Sequence, residues 1–166
     1  MSEPAAPDWV VDAIDSYSTG ELTTIGRDGG PSTFPVAAAL DRDRGLIITT
    51  TSVSYPAKIA NVRRDSRFGI FFGYAPSSTA EHPPAVMVRG TATVDDESFE
   101  RNARAIGRFP RLTSSHPSLL KRLERPWWRG LYRNYMTRVL IEMAPEDVLV
   151  WRDGACGGTP EVFSWR

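Results

Sequence analysis

Cysteine and histidine are nearly missing from this chain: its 166 residues contain one cysteine, Cys156, and two histidines, His82 and His116. A single thiol cannot close an internal disulfide, which suits a reducing compartment, and Cys156 in its glycine-rich surroundings reads as incidental rather than catalytic. His82 and His116 stand apart in proline-containing loops with no carboxylate at metal-ligand spacing, so no metal site is read. An excess of either charge is also lacking. Twenty basic and twenty acidic side chains cancel, which leaves no global field to recruit nucleic acid or an anionic membrane, although arginine is locally concentrated between Arg101 and Arg138. Nowhere do about 18 uncharged apolar residues run together, so no membrane span is expected. Residues 1–8 have no basic start followed by an apolar stretch, so they do not read as a secretory signal, and the chain is expected to be soluble and cytoplasmic. Gly-x-Ser-x-Gly, Walker and Gly-x-Gly-x-x-Gly patterns are absent, which removes hydrolase-elbow, P-loop and Rossmann readings.

The length suits one domain spanning 1–166, with residues 1–7 expected to be flexible and 152–166 to form a C-terminal extension. The chain is organised around residues 46–65. Leu46-Ile47-Ile48 is an apolar run of strand length, Ser54 is a good N-cap, and Pro56 is tolerated in a first helical turn. Tyr55, Ile59 and Val62 mark the predicted buried face of this helix, while Lys58, Asn61, Arg63 and Arg64 point elsewhere. Free N–H groups, Thr and Ser hydroxyls, and a lysine on the fourth or fifth helical position together make an anion site, with phosphate the best candidate. The alternative is a threonine-rich strand end beside a solvated basic helix.

Along the rest of the chain, Asp8 caps a short helix with apolar residues through Tyr17. Residues 21–26 read as a strand, Arg27-Asp28-Gly29-Gly30-Pro31 as a tight hairpin turn, residues 32–40 as the return strand and 46–50 as a third. Residues 67–74 form an apolar strand whose continuity predicts cover on both faces. Residues 85–94 alternate around Gly90, which suggests a strand bent at a barrel corner. A helix is expected from Asp95, carrying Phe99, Ala103 and Ile106 inward, and residues 137–143 and 148–151 read as two strands joined by a turn at 144–147. Six or seven short strands, few helices and no βαβ alternation point to a closed or half-closed antiparallel barrel.

Four stretches, in this order, carry a family resemblance. They are Asp28-Gly29-Gly30-Pro31 leading into Phe34-Pro35-Val36-Ala37, Ile47-Ile48-Thr49-Thr50 followed by Ala57-Lys58-Ile59-Ala60-Asn61, Val86-Met87-Val88-Arg89-Gly90, and Arg138-Val139-Leu140-Ile141 running on to Trp151. The chain resembles the flavin-binding split β-barrel family typified by pyridoxamine 5′-phosphate oxidase from about Leu22 to Trp151. The resemblance implies a mainly β fold, a six-stranded antiparallel split β-barrel of Greek-key, FMN-binding type with peripheral helices. It also implies a homodimer with FMN in the groove between the barrels, acting as a flavin-dependent oxidoreductase on a small organic molecule. Thr49 and Thr50 resemble the strand-end pair that touches the cofactor, and Lys58 the lysine that neutralises its phosphate. Ala57 stands where relatives often place an arginine. Pro35, Val36 and Ala37 resemble the strand that hydrogen-bonds the edge of the ring system through main-chain groups. Trp151 resembles the tryptophan that closes the cofactor site, or is a core aromatic under the last strand.

The resemblance stops short of vitamin B6 oxidation. Where the oxidases carry arginine and histidine that grip the substrate phosphate, residues 154–166 contain no histidine. The lysine that ends the second strand in those enzymes is also missing from Ala38-Ala39-Leu40-Asp41. Relatives of this kind use FMN or a deazaflavin coenzyme, whose longer polyanionic tail calls for extra basic residues. Arg101, Arg104 and Arg108, or Lys121, Arg122 and Arg125, either meet that need or form a solvated helical face. Trp127, Trp128, Tyr132 and Tyr135 either line a substrate pocket or pack a dimer interface. The remaining functional alternatives are a flavin carrier without turnover and a barrel without cofactor that serves as an interaction module.

Overall fold

The computed structural model describes residues 5–95 and 138–165. The expected helix after Asp95, the basic residues at 101–125, His116 and the aromatic group at 127–135 lie outside them. Helix α1, Asp8–Ser16, buries Val10, Ala13 and Ile14, and Asp8 lies in its first turn, where the helix dipole favours an acid; Pro7, not Asp8, is the N-cap. Ala6 is fully buried, its N–H bonded to the Ser164 carbonyl at 2.8 Å.

Strand β1, Thr19–Ile25, turns through Asp28 and Gly29 into β2, Pro31–Asp41, with Ile25 opposite Pro31 and Thr19 opposite Ala37. Gly29 adopts φ of 81°, the left-handed region open to glycine, which accounts for the hairpin signal in the sequence. Strand β3, Leu46–Ser52, pairs with β2 only from Ala38 to Asp41 and then leaves it. Helix α2, Pro56–Arg64, carries the chain across to β4, Arg67–Phe72, which pairs with β1 rather than with β3. Strand β5, Ala85–Asp95, follows β4, and the 14-residue β6, Arg138–Trp151, follows β5. The first half of β6 pairs with β3 and closes a six-stranded antiparallel barrel; the second half pairs with a seventh strand, β7, Glu161–Ser164.

Strands expected at 137–143 and 148–151 are thus one strand, and the turn expected between them is a bend within it. Pro145 lies opposite Gly90 where the β5–β6 register slips. A bulge is one of the few places in a sheet that accepts a residue lacking N–H. A Cβ on Gly90 would run into the Ala144 carbonyl oxygen, so the close approach of the two backbones requires glycine. The barrel-corner reading of Gly90 therefore holds. β7, in the stretch read as an extension, did not stand out because four residues carry too little periodicity.

The core is filled from alternate positions: Leu22 of β1, Val36 of β2, Ile47 of β3, Ile70 and Phe72 of β4, Val86 and Val88 of β5, and Ile141, Met143 and Val148 of β6. On β4 only one face is buried. Gly69 and Phe71 stay half exposed, against the expectation of cover on both faces.

Candidate functional site

Where β2 and β3 part, the barrel has a seam. β3 swings to β6, so residues 31–37 of β2 keep β1 on one side and have no paired strand on the other among the described residues. The parting is stitched by Thr49. Its side chain is 1% exposed, and its hydroxyl donates to the Ala37 carbonyl at 2.6 Å. Main-chain groups of alternate residues face the same neighbour, so the Pro35 carbonyl points to the seam side as the Ala37 carbonyl does. Pro35 has no N–H to leave unpaired there, which suits an edge position.

Helix α2 lies beside this seam. Its N-cap is Tyr55, one residue later than the sequence suggested, and no side chain caps its first turn. Ser54 does not cap; its own N–H is bonded to the Ser52 hydroxyl at 3.2 Å. Lys58 is consequently the third helical residue. Tyr55, placed by periodicity on the buried face, is 60% exposed because it precedes the helix. Asn61, placed outside, is buried: its amide donates to the Thr24 hydroxyl at 3.0 Å and its carbonyl oxygen accepts from Arg64 at 3.0 Å. Arg64 also bonds the Ile25 carbonyl at 2.8 Å, and the three side chains tie α2 to β1.

One turn before Asn61, the Lys58 ammonium lies 5.2 Å above the centre of the Phe34 ring, within cation–π range. Its pKa is lowered from the usual lysine value, first by burial and second by the charge of Arg138. Arg138 reaches the same place from the first residue of β6: its Nε donates to the Thr50 hydroxyl at 2.8 Å and a terminal nitrogen to the Thr50 carbonyl at 3.0 Å. Among the described residues no carboxylate pairs with Lys58. Beside Thr50 on β3, the Thr51 hydroxyl is buried with no hydrogen-bond partner. Two cations and an uncapped helix start thus gather at one end of β3, while Thr51 alternates to the opposite face of the strand from Thr50. An anion with several acceptor oxygens answers such an arrangement.

The remaining predicted site residues sort by position. Thr50 and Lys58 meet at this cluster, and Ala57 is exposed in the same helical turn. Thr49 and the Val36 side chain are buried and act within the fold. Pro35 lines a separate cavity of about 320 Å³ with Thr19, Gly20, Glu21, Phe71, Gly73 and Tyr74. Trp151, half-buried, meets the edge of Phe71 with ring centres 6.4 Å apart, and its indole N–H donates to the Gly158 carbonyl at 2.8 Å, so it is not a core aromatic. Strand β2 joins the two places, since Ala37 abuts Thr49 on one side and Thr19 on the other. Arg138 and Phe34 were not singled out from sequence. An arginine opening an otherwise apolar strand was the one available signal for Arg138.

Among the described residues no cluster of histidine, cysteine and acidic side chains is arranged to hold a metal, and no helix is long and apolar enough to cross a membrane.

No protein-family model matches the sequence, and no curated protein matches it. Solved structures do. A general stress protein 26 from Bacillus anthracis superposes with a TM-score of 0.58 at 14% identity, covering 95% of this chain and 96% of its own. A putative pyridoxamine 5′-phosphate oxidase from Listeria innocua gives 0.54 at 17% identity, covering 86% and 95%. A FAD-binding protein from Mesorhizobium loti gives 0.57 at 14% identity, covering 86% and 90%. At such identities the likeness is one of architecture, and the chain has the split-barrel fold of the pyridoxamine 5′-phosphate oxidase-like and general stress protein 26 structures.

Proposed function

We propose that this protein is a flavin-dependent oxidoreductase that binds FMN, as a homodimer with the cofactor between the two barrels, and exchanges hydride with a small organic molecule. The observation that carries this reading is the approach of Lys58 and Arg138 at the end of β3, where Arg138 is bonded to Thr50. A terminal phosphate of FMN carries about −1.5 to −2 charges and three acceptor oxygens. It matches this cluster: Lys58 and Arg138 answer its charge, and the first-turn N–H groups of α2 have no side-chain cap. On this reading the main-chain edge at Pro35 and Ala37 meets the ring, with Phe71 and Trp151 beyond Pro35. A solved protein of the same fold is FAD-binding, which supports a flavin.

The flavin, when bound, supplies the hydride chemistry, and the chain's own residues bind, orient and tune it; no side-chain acid or base is needed. The test is a titration of the purified protein with FMN, riboflavin and a deazaflavin coenzyme, preceded by an absorbance scan. FMN binding well above riboflavin supports the phosphate cluster. Preference for the deazaflavin redirects the assignment to that coenzyme, and bound FMN without NAD(P)H-linked turnover makes the protein a flavin carrier. A sample that takes up none of the three overturns the reading.

A further inference from the structure

The cavity beside Pro35 has a character of its own. At about 320 Å³ it lies in the lower range of small-molecule sites, roughly 300–1,000 Å³. Its aromatic wall is held in place. A Cβ on Gly73 would run into the Phe71 ring, so that ring is folded back over the strand end, and Trp151 meets its edge at an interplanar angle of 75°. Tyr74, 68% exposed, stands at the rim. Glu21 projects from β1 between its cross-strand neighbours Pro35 and Phe71 and is the only charged residue among the described residues that line the cavity. Three other strand carboxylates are matched: Asp147 meets Arg89, Glu142 meets Arg44 and Glu161 meets Arg152. Glu21 meets no cation among the described residues.

A carboxylate without a counter-ion beside a pinned aromatic ring has the recognition chemistry of an organic ammonium group. The carboxylate answers the charge and the ring faces attract the cation. An anionic ligand would meet Glu21 with like charge and find no donor cation among the described wall residues. We propose that this cavity binds the ammonium end of a small organic cation, with Glu21 as counter-ion and Phe71 and Tyr74 as aromatic walls. The site adjoins the proposed ring surface through Pro35, but no flavin atom enters the argument, so the proposal stands apart from the cofactor reading.

Benzylamine and benzoate, one ring with opposite charges at neutral pH, are the probes. They are titrated into the full chain, without and with added FMN, while the Phe71, Tyr74 and Trp151 resonances are followed by NMR. Benzylammonium is expected to shift these signals saturably and benzoate to leave them in place. Glu21→Gln should weaken benzylammonium by about fivefold, the upper end for an exposed ion pair, with the remaining spectrum unchanged. Gly73→Ala, which displaces the ring wall, should weaken it as well. Equal binding of both probes, undiminished binding to Glu21→Gln, or no saturable shift would overturn the proposal. Failure of FMN to bind would count against the cofactor reading alone.

Discussion

Lys58 and Arg138 come from a helix and a strand separated by about half of the chain's length, yet the charge of one depresses the pKa of the other. Arg138 is steadied by two bonds to Thr50, and Lys58 is steadied by its helix and by the Phe34 ring beneath it. Like charges held near each other store repulsion that an anion removes, so this relationship yields the most direct predictions.

Lys58→Ala is expected to weaken FMN by about 1.5–3 kcal/mol, the range for a hydrogen bond to a charged group, and to leave riboflavin affinity unchanged. Arg138→Ala should act in the same direction. Fluorescence titration of both ligands measures this, and equal losses for FMN and riboflavin would remove Lys58 from the phosphate.

The same lysine should make the ligand-free protein sensitive to alkaline pH. Its folded pKa lies below the usual 10.5, so the unfolded chain binds more protons in the interval just beneath that value. The lysine's contribution to stability is therefore full above 10.5 and is lost as pH falls through the lower folded value. Arg138→Met should narrow the interval without closing it, because burial, the larger cause, remains. Denaturant melts of wild type and Lys58→Met across this range are the check: only the wild type should gain stability from this group as pH rises.

At the far end of α2, Arg67 grips Asp65 through its side chain and main-chain N–H, holding the carboxyl at about 2 against the usual 3.8. The contribution is present above 3.8 and is lost as pH falls towards 2. An NMR pH titration should find Asp65 ionised where ordinary aspartates have protonated, and Arg67→Gln should bring its midpoint back up.

Asn61→Leu removes partners from Thr24 and Arg64 at a buried position. With the Thr24 hydroxyl left only its long bond to the Ser32 carbonyl at 3.4 Å, the change should cost about 1–3 kcal/mol in urea unfolding. Asn61→Asp, which keeps the acceptor for Arg64 but loses the donor to Thr24, should cost less than Asn61→Leu.

Gly90→Ala is expected to destabilise the barrel by about 1–3 kcal/mol or more, as an overpacked site does, because the new methyl meets backbone rather than a movable side chain. An unchanged urea midpoint would show that the β5–β6 bulge can relax.

Local pattern carried much of the architecture. Alternation in β1 and β5, the Asp28-Gly29 turn and the apolar spacing of α1 and α2 were readable because each depends on neighbours within a few residues. Lys58 and Thr50 were singled out in the same way, since a hydroxyl-rich strand end followed by a helix start is itself a local pattern. Tertiary structure alone decided that β6 is one bent strand, since Pro145 reads as a turn until Gly90 is set against it. It also decided that Thr49 is spent on Ala37, that Asn61 turns inward to Thr24, and that Arg138 arrives beside Lys58. The physical reason is the same in each case. Hydrogen-bond partners and opposing charges are chosen by strand pairing between distant segments, and one-dimensional periodicity records which face a residue occupies without recording what it will meet there.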